Sequence, residues 1–553
     1  MDKKKSLLNV IVAISFKFIL LILSLISRRF LIRYVGNEAT GLFSLYTSIV
    51  GFLAVAELGV GSAITFCMYK PIVDNKKDEV AALYHLFTKL YLIIGGIILV
   101  AGFAIMPFLP YFAKDYADID INLYWTFALM LTSTVLSYMF SSKSSVINAY
   151  KNNYITTTIN SLGNIIRYIL QIVIVIFTKS FELYLVATII SVLIEWLLTS
   201  LVFNKKYKEI KQIRAKVNED TKHEVVKKVK AMFMHKIGGL LVNTADSIII
   251  SAFIGVVILG KYSNYTTIMT AMTGVITLFF SPLTSVIGHL CVKSDKEEVK
   301  KYFNFFYTFN FILGIVFFLG YYSIIDDLIV ICFGNDLEMA KSVSMVITIN
   351  YFIQFMRQAT LLFRDATGLF YYDRWKPLFE GISNVVFSIG FVYLFSYLFG
   401  DEFAVVGVIV ATIITNIFIC HIVEPHVLYK YEFESKTYKY YLKNYSCIAS
   451  FVAALFLLNF LMRSNDNVWI ELLINGFISV GISCVFILVF ILIDKDFRFY
   501  IKKFINKVKN RHKNKSTSVV ETTAKSDVEL NENESLKSET SDDINESREE
   551  NKD

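Results

Sequence analysis

Proline and charge are both scarce in this 553-residue chain, which has 6 Pro and only 18% charged residues. Soluble domains carry about 25% charged residues and about 45–50% apolar ones. Here 55% are hydrophobic, including 48 Phe and 32 Tyr. That balance excludes a disordered protein, a disulfide scaffold and an ordinary soluble enzyme. The six cysteines, Cys67, Cys291, Cys332, Cys420, Cys447 and Cys484, form no CxxC pair. They read as small packing residues rather than ligands. No G-x-x-x-x-G-K-[ST], H-E-x-x-H or nucleophile elbow is present, so the expectation is a chain that is not an enzyme and needs no cofactor or metal. What the composition does describe is an all-α, polytopic membrane protein.

The formal charge of +8 is unevenly spread. Ser516–Asp553 holds 12 acidic and 4 basic residues, a net of −8, which leaves +16 on the rest. A basic, very apolar body points to Lys and Arg in cytoplasmic loops, not to a nucleic-acid partner. The opening Met1-Asp-Lys-Lys-Lys leads into an apolar run without a clear cleavage site, which reads as a retained first helix.

A hydrocarbon core of about 30 Å takes about 20 residues of helix. Fourteen stretches meet that length, at roughly 8–34, 38–68, 82–107, 121–147, 155–177, 182–203, 231–254, 262–291, 302–325, 342–370, 376–399, 403–424, 440–462 and 469–493. Five prolines fall near span ends, and Pro282, inside the eighth span, should kink it. With a cytoplasmic N-terminus, the inner segments hold 37 Lys and Arg and the outer loops hold 6. The positive-inside rule therefore favours fourteen spans with both termini cytoplasmic.

A repeat is visible at an offset of 219 residues. Gly36, Gly41, Ser44, Tyr46-Thr47 and Ile49 recur as Gly255, Gly260, Ser263, Tyr265-Thr266 and Ile268. Lys77-Asp78-Glu79-Val80 recurs as Lys296-Glu297-Glu298-Val299, and Gly95 as Gly314. Six helices separate the copies, an even number, so both enter the membrane from the same side. The expected plan is a six-helix lobe at 1–203, a basic cytoplasmic linker at 204–230, a second six-helix lobe at 231–424 in parallel repeat, and two appended helices within 425–493. A basic cytoplasmic segment at 494–515 follows, with Phe497–Lys513 expected as an amphipathic helix on the inner leaflet, and then a disordered acidic tail at 516–553.

Polar residues inside spans are costly and usually face a bundle interior. At about 100° per residue, Asn160, Asn164, Arg167 and Gln171 share one face of the fifth span. Asn350, Gln354, Arg357 and Arg364 share one face of the tenth. Lys17, Ser24 and Arg28 align on the first, and His235 and Asp246 on the seventh. These stripes predict a central hydrated cavity in which permanently charged Arg suits phosphate. Arg364 and Asp365 read either as cavity residues or as a structural pair. Glu57, beside Gly59 and Gly61, reads either as a coupling carboxylate or as a buried structural one, and Asp246 as a coupling group.

Five segments carry a resemblance. They are Tyr34–Thr47 (YVGNEATGLFSLYT), Ala56–Thr65 (AELGVGSAIT), Tyr69-Lys70-Pro71, Asn243–Ile248 (NTADSI) and Thr367–Pro377 (TGLFYYDRWKP). Over about residues 1–495 the chain resembles bacterial polysaccharide flippases of the O-antigen, capsule and exopolysaccharide type. These belong to the superfamily of multidrug exporters and lipid-linked oligosaccharide flippases. The resemblance implies two six-helix lobes around a V-shaped cavity, alternating access, and a substrate of undecaprenyl-pyrophosphate-linked oligosaccharide. It also implies a place in the bacterial cytoplasmic membrane, among its lipids, with glycosyltransferases and a polysaccharide polymerase as partners. Fourteen spans depart from the twelve often seen in this type and are shared with lipid II flippases, which stay as an alternative beside a multidrug or cation antiporter and a non-transporting scaffold. On the flippase reading, Arg167 and Arg357 would hold the diphosphate, one from each lobe. Arg28 would meet it nearer the outer mouth.

Overall fold

The computed structural model describes residues 3–57, 60–219, 244–280 and 283–503, with a few positions between 222 and 229. The acidic tail, residues 504–515, most of the linker beyond 219, His235, Asn243 and Pro282 lie outside the described residues. Among those described there is no strand.

In chain order the main helices are α1 (Lys3–Tyr34), α2 (Asn37–Leu53), α3 (Val60–Val73), α4 (Lys77–Ile105), α5 (Leu123–Ala149), α6 (Asn153–Thr178) and α7 (Phe181–Lys206). Then come α8 (Thr244–Ile254), α9 (Val256–Phe280), α10 (Leu283–Lys293), α11 (Lys296–Phe333), α12 (Lys341–Met356), α13 (Gln358–Thr367) and α14 (Lys376–Phe399). The last three are α15 (Ala404–Tyr431), α16 (Tyr438–Leu461) and α17 (Val468–Ile493). Local sequence explains several starts. The side chains of Asn122, Ser180, Asp295 and Asn467 each accept a hydrogen bond from a backbone N–H of the first turn that follows, satisfying a donor the helix itself cannot.

Among the described residues nine helices are long and apolar enough to cross a membrane. They coincide with nine of the fourteen expected spans. The first expected span falls on α1, the seventh on α8, and the second, eighth and tenth on interrupted pairs: α2 with α3, α9 with α10, and α12 with α13. The α9–α10 interruption brackets Pro282. The α12–α13 interruption falls at Arg357, with no Pro or Gly nearby to announce it.

The 219-residue register has direct structural consequences. α2 and α9 start at equivalent positions, and so do α4 and α11. The turns that precede α2 and α9 both need a positive backbone φ, 127° at Gly36 and 142° at Gly255, which glycine adopts without steric cost. α2 and α9 then cross against each other. A Cβ on Gly41 would lie 2.1 Å from the Val256 carbonyl oxygen, and one on Gly260 would lie 2.6 Å from the Asn37 carbonyl oxygen. Because 256 and 260 are the repeat equivalents of 37 and 41, the contact is self-complementary about a pseudo-two-fold. Gly41→Ala or Gly260→Ala is expected to force the two backbones apart and cost about 1–3 kcal/mol. Thermal unfolding in detergent checks this, and an unchanged transition in both variants would refute it.

Helices α4 to α7 pack on one another, with α1 against α6. Helices α11, α12, α14 and α15 form a second group, with α16 and α17 against α11. The linker's first residues stay with the first group: Glu209 pairs with Lys77 at 2.5 Å, and the His85 ring meets the Ile213 carbonyl at 3.0 Å. The expected amphipathic segment also differs from a helix laid on lipid. Over its described part, Phe497 stacks on Phe305 and Tyr500 packs on Tyr302 and Phe305 of α11. Both side chains are buried, so protein takes up that apolar face.

Candidate functional site

The contacts between the two groups run mainly from α2 to α9, with α1 reaching α9 and α11, and Lys114 adds to them. Its backbone N–H donates to the Ser251 carbonyl at 3.1 Å and its ammonium to the Phe253 carbonyl at 3.2 Å. Asn37 donates to the Val257 carbonyl at 2.8 Å, and Lys17 reaches the Gly274 carbonyl at 3.1 Å. Among the described residues no ion pair joins the groups. The turns at Gly36, Lys114 and Phe253 lie at the end of α1 opposite its N-terminus, so that end is the sealed one.

Arg28 sits in this seal. Its Nε donates to Asn264 Oδ1 at 2.5 Å, Nη1 to Thr267 Oγ1 at 3.1 Å and Nη2 to Ser263 Oγ. All three acceptors are on α9 and all are neutral. One residue earlier, Ser27 donates to Gln171 Oε1 and shares a hydrogen bond with the Tyr184 hydroxyl, each at 3.2 Å. Gln171 in turn donates to Thr188 at 3.2 Å. The fifth-span stripe is thus brought against the first, with Gln171 fully packed between them.

Arg167 lies on the same α6 face, its guanidinium 4.7 Å above the Tyr168 ring. Its Nε is buried and has no hydrogen-bond partner. The charges of Arg167 and Arg28 both reach the Tyr184 hydroxyl, and that of Arg167 reaches Glu195, yet neither arginine is in an ion pair among the described residues. Asn164 donates to the Asn160 carbonyl of its own helix at 2.7 Å and adds no link across the site.

The second group treats its arginines differently, and this corrects the expectation for Arg357. Arg357 makes a two-pronged contact with Glu424, at 2.6 and 3.1 Å, and also donates to Glu380 at 3.2 Å and Asn416 at 2.7 Å. Lys376 bonds the same two carboxylates, Glu424 at 2.6 Å and Glu380 at 2.8 Å. Two cations and two anions close a buried, electroneutral cluster. With its charge balanced and its donors engaged, Arg357 is not an open partner for a diphosphate. Arg364 is likewise committed, to Asp373 at 2.6 Å and Asp365 at 2.9 Å, so of its two readings the structural pair is the one observed. Gln354 donates to Asn350 at 3.1 Å on α12, and that stripe ends where the helix breaks.

The sequence reading missed Lys376, Glu424 and Asn416 as members of this cluster. Lys376 opens α14 as a buried residue. Lys376 and Glu380, four apart, were the available signal. A π-helical turn at Asn416–Cys420 aims Asn416 at Arg357.

The two carboxylates singled out from sequence sit apart. Glu57 closes the 3₁₀ turn between α2 and α3 and accepts from the Tyr91 hydroxyl at 2.8 Å. Asp246 on α8 accepts from Thr412 at 3.3 Å. Thr412 also accepts from Asn384 at 2.8 Å, while the Asn384 Oδ1 and Ser388 Oγ atoms nearby are buried without partners. Neither carboxylate has a cationic partner among the described residues.

A family model described as "Polysaccharide biosynthesis protein" matches residues 6–287, more than half of the chain. No curated protein matches. Among solved structures, the chain is similar to the lipid II flippase MurJ in an inward closed conformation (TM-score 0.58, 14% identity, 87% of this chain and 99% of that one). It is also similar to an inward-facing multidrug resistance MATE family transporter of the MOP superfamily (TM-score 0.57, 15% identity, 80% and 98% covered). At such identities the likeness speaks for the fold, which is that of a multi-pass membrane transporter. The sequence match speaks for the lineage: this chain belongs to the polysaccharide biosynthesis protein family.

Proposed function

We propose that the chain flips a polyprenyl-diphosphate-linked oligosaccharide across the bacterial cytoplasmic membrane for surface polysaccharide synthesis, by alternating access between lobes at 1–203 and 231–424. The observation that carries this reading is the contrast between arginines. Those of the second group are neutralised by carboxylates in ion pairs, whereas among the described residues Arg28 and Arg167 are in none: Arg167 feels Glu195 only without an ion pair, and its Nε has no acceptor. A dianionic diphosphate supplies the acceptors and charge that these groups lack, and a planar guanidinium suits it. A cationic drug would be repelled there. The polyprenyl chain stays in lipid while the sugars cross through the cavity, so no covalent chemistry is asked of the protein. Asp246, a carboxylate whose hydrogen-bond partner among the described residues is the Thr412 hydroxyl, is the group we assign to coupling.

The test is transport by the purified protein in vesicles, with lipid-linked oligosaccharide, lipid II and a cationic dye offered in turn. Uptake of the dye alone would overturn the proposal, and preference for lipid II would move the chain to the peptidoglycan pathway. Asp246→Asn is expected to abolish any dependence on a proton gradient in that assay.

The orientation follows from the 37-to-6 asymmetry of basic residues. A cysteine placed at the exposed Asp336, between α11 and α12, should be labelled from outside in intact cells, and one at Lys211 or Lys439 should be spared. Labelling of Lys211 in intact cells would invert the topology and with it the sealed outer face.

A further inference from the structure

Resting on that reading, we infer that the Arg28 clasp on α9 is both the second wall of the diphosphate site and the latch that the diphosphate releases. Three observations converge. The clasp joins α1 to α9 through Ser263, Asn264 and Thr267, at the end where the two groups of helices are sealed. Its acceptors carry no charge, and among the described residues no carboxylate pairs with the guanidinium. And Asn264, fully buried, spends its Oδ1 on Arg28 while its Nδ2 has no acceptor. A buried amide donor without a partner is costly and uncommon in native structures.

A phosphate oxygen placed between α1 and α9 resolves both deficits. It accepts from Asn264 Nδ2 and takes over the Arg28 donors, because hydrogen bonds from a guanidinium to an anion are roughly twice as strong as those between neutral groups. The bonds that hold α1 to α9 are then spent on the ligand. Substrate charge thereby unfastens the outer end, while a neutral polyprenol, with nothing to outcompete the α9 oxygens, leaves it fastened. Asn264 is in this account a specificity-determining residue. Its neutrality keeps the clasp breakable, and its free amide hydrogens read the anion.

The experiment is a distance measurement on the full chain in vesicles, with spin labels at the exposed positions Tyr111 and Tyr397, one in each group at the sealed end, and the native cysteines replaced. The probes are inorganic pyrophosphate, polyprenyl diphosphate in the bilayer, and polyprenol. Polyprenyl diphosphate is expected to raise the ratio of long to short distances by about tenfold or more, the shift for one lost hydrogen bond from a charged group, and polyprenol to leave it unchanged. A matching response to pyrophosphate shows that the diphosphate alone suffices, and a response to the lipid form only places the source in the membrane. Response to neither overturns the proposal. Asn264→Asp, which gives Arg28 a charged partner, should hold the short distance with every probe. Arg28→Ala should lengthen it with none. If Arg28→Ala fails to reach the membrane, Ser263→Ala with Thr267→Val removes two acceptors and no charge and should lengthen it in the same way. A probe-responsive Asn264→Asp, or a short distance in the variant lacking the clasp, would refute the latch. Transport of lipid-linked oligosaccharide by the unsubstituted protein in the same vesicles tests the flippase reading on its own.

Discussion

Arg167→Ala combined with Arg28→Ala is expected to abolish surface polysaccharide while the protein stays in the membrane. The diphosphate must leave water, and an anion without partners in a low-dielectric cavity costs several kcal/mol. Hydrogen bonds to charged groups return about 1.5–3 kcal/mol each, so loss of both guanidinium groups lowers transport by a factor of about 100 or more. Arg167 adds little to the resting fold, since it has no ion pair and its Nε has no partner. Its single alanine variant should therefore lose transport without losing stability. Arg167→Lys is expected to rescue only in part, because an ammonium lacks the planar fork. Polymer measured on whole cells, with the protein quantified in membranes, decides the matter. Normal polymer in the double variant would show that these arginines are structural.

The second large effect is on folding. Glu424→Gln leaves Arg357 and Lys376 facing Glu380 alone, with one buried positive charge uncompensated. Breaking a buried ion pair from one side costs about 3–5 kcal/mol, enough to deplete the protein from membranes and lower its unfolding temperature. Replacing Arg357 and Glu424 together with residues of similar volume and no charge should cost less than the Glu424 change alone, because no charge then stays stranded. A coupling energy near zero between the two sites in a double-mutant cycle would refute the cluster as a unit. The contrast with Arg167 is the diagnostic point: one arginine is expected to affect transport without stability, the other stability first.

Much of this was legible in the chain. Hydropathy and loop charge located the helices, and the repeat gave the equivalence of α2 with α9 down to the paired glycines, because backbone approach and positive φ leave glycine as their trace. The α6 stripe was legible because the helix is continuous from Asn153 to Thr178, so 100° per residue carries Arg167 and Gln171 to one face. The tenth-span stripe failed for the opposite reason. The helix stops at Arg357 without a breaker residue, and the acids that neutralise this arginine come from positions 380 and 424, on other helices. Helical periodicity reports which face a side chain occupies but not what another helix brings to meet it. Equal stripes of sequence therefore became an open cation in one half and a closed cluster in the other.

The docking of Phe497 and Tyr500 on α11 sets where the chain can be shortened. A protein ending at Lys503 keeps both rings against Tyr302 and Phe305. One ending at Asp494 uncovers that aromatic ledge at the end of the last helix and forfeits about 1.5–3 kcal/mol for each large side chain withdrawn. It would also place a terminal carboxylate beside the Asp494 side chain, which pairs with Lys443 at 2.6 Å and accepts from Thr308 at 2.5 Å. Truncation at 503 is therefore expected to yield monodisperse protein in detergent, and truncation at 494 to yield aggregate, as size-exclusion profiles of the two would show.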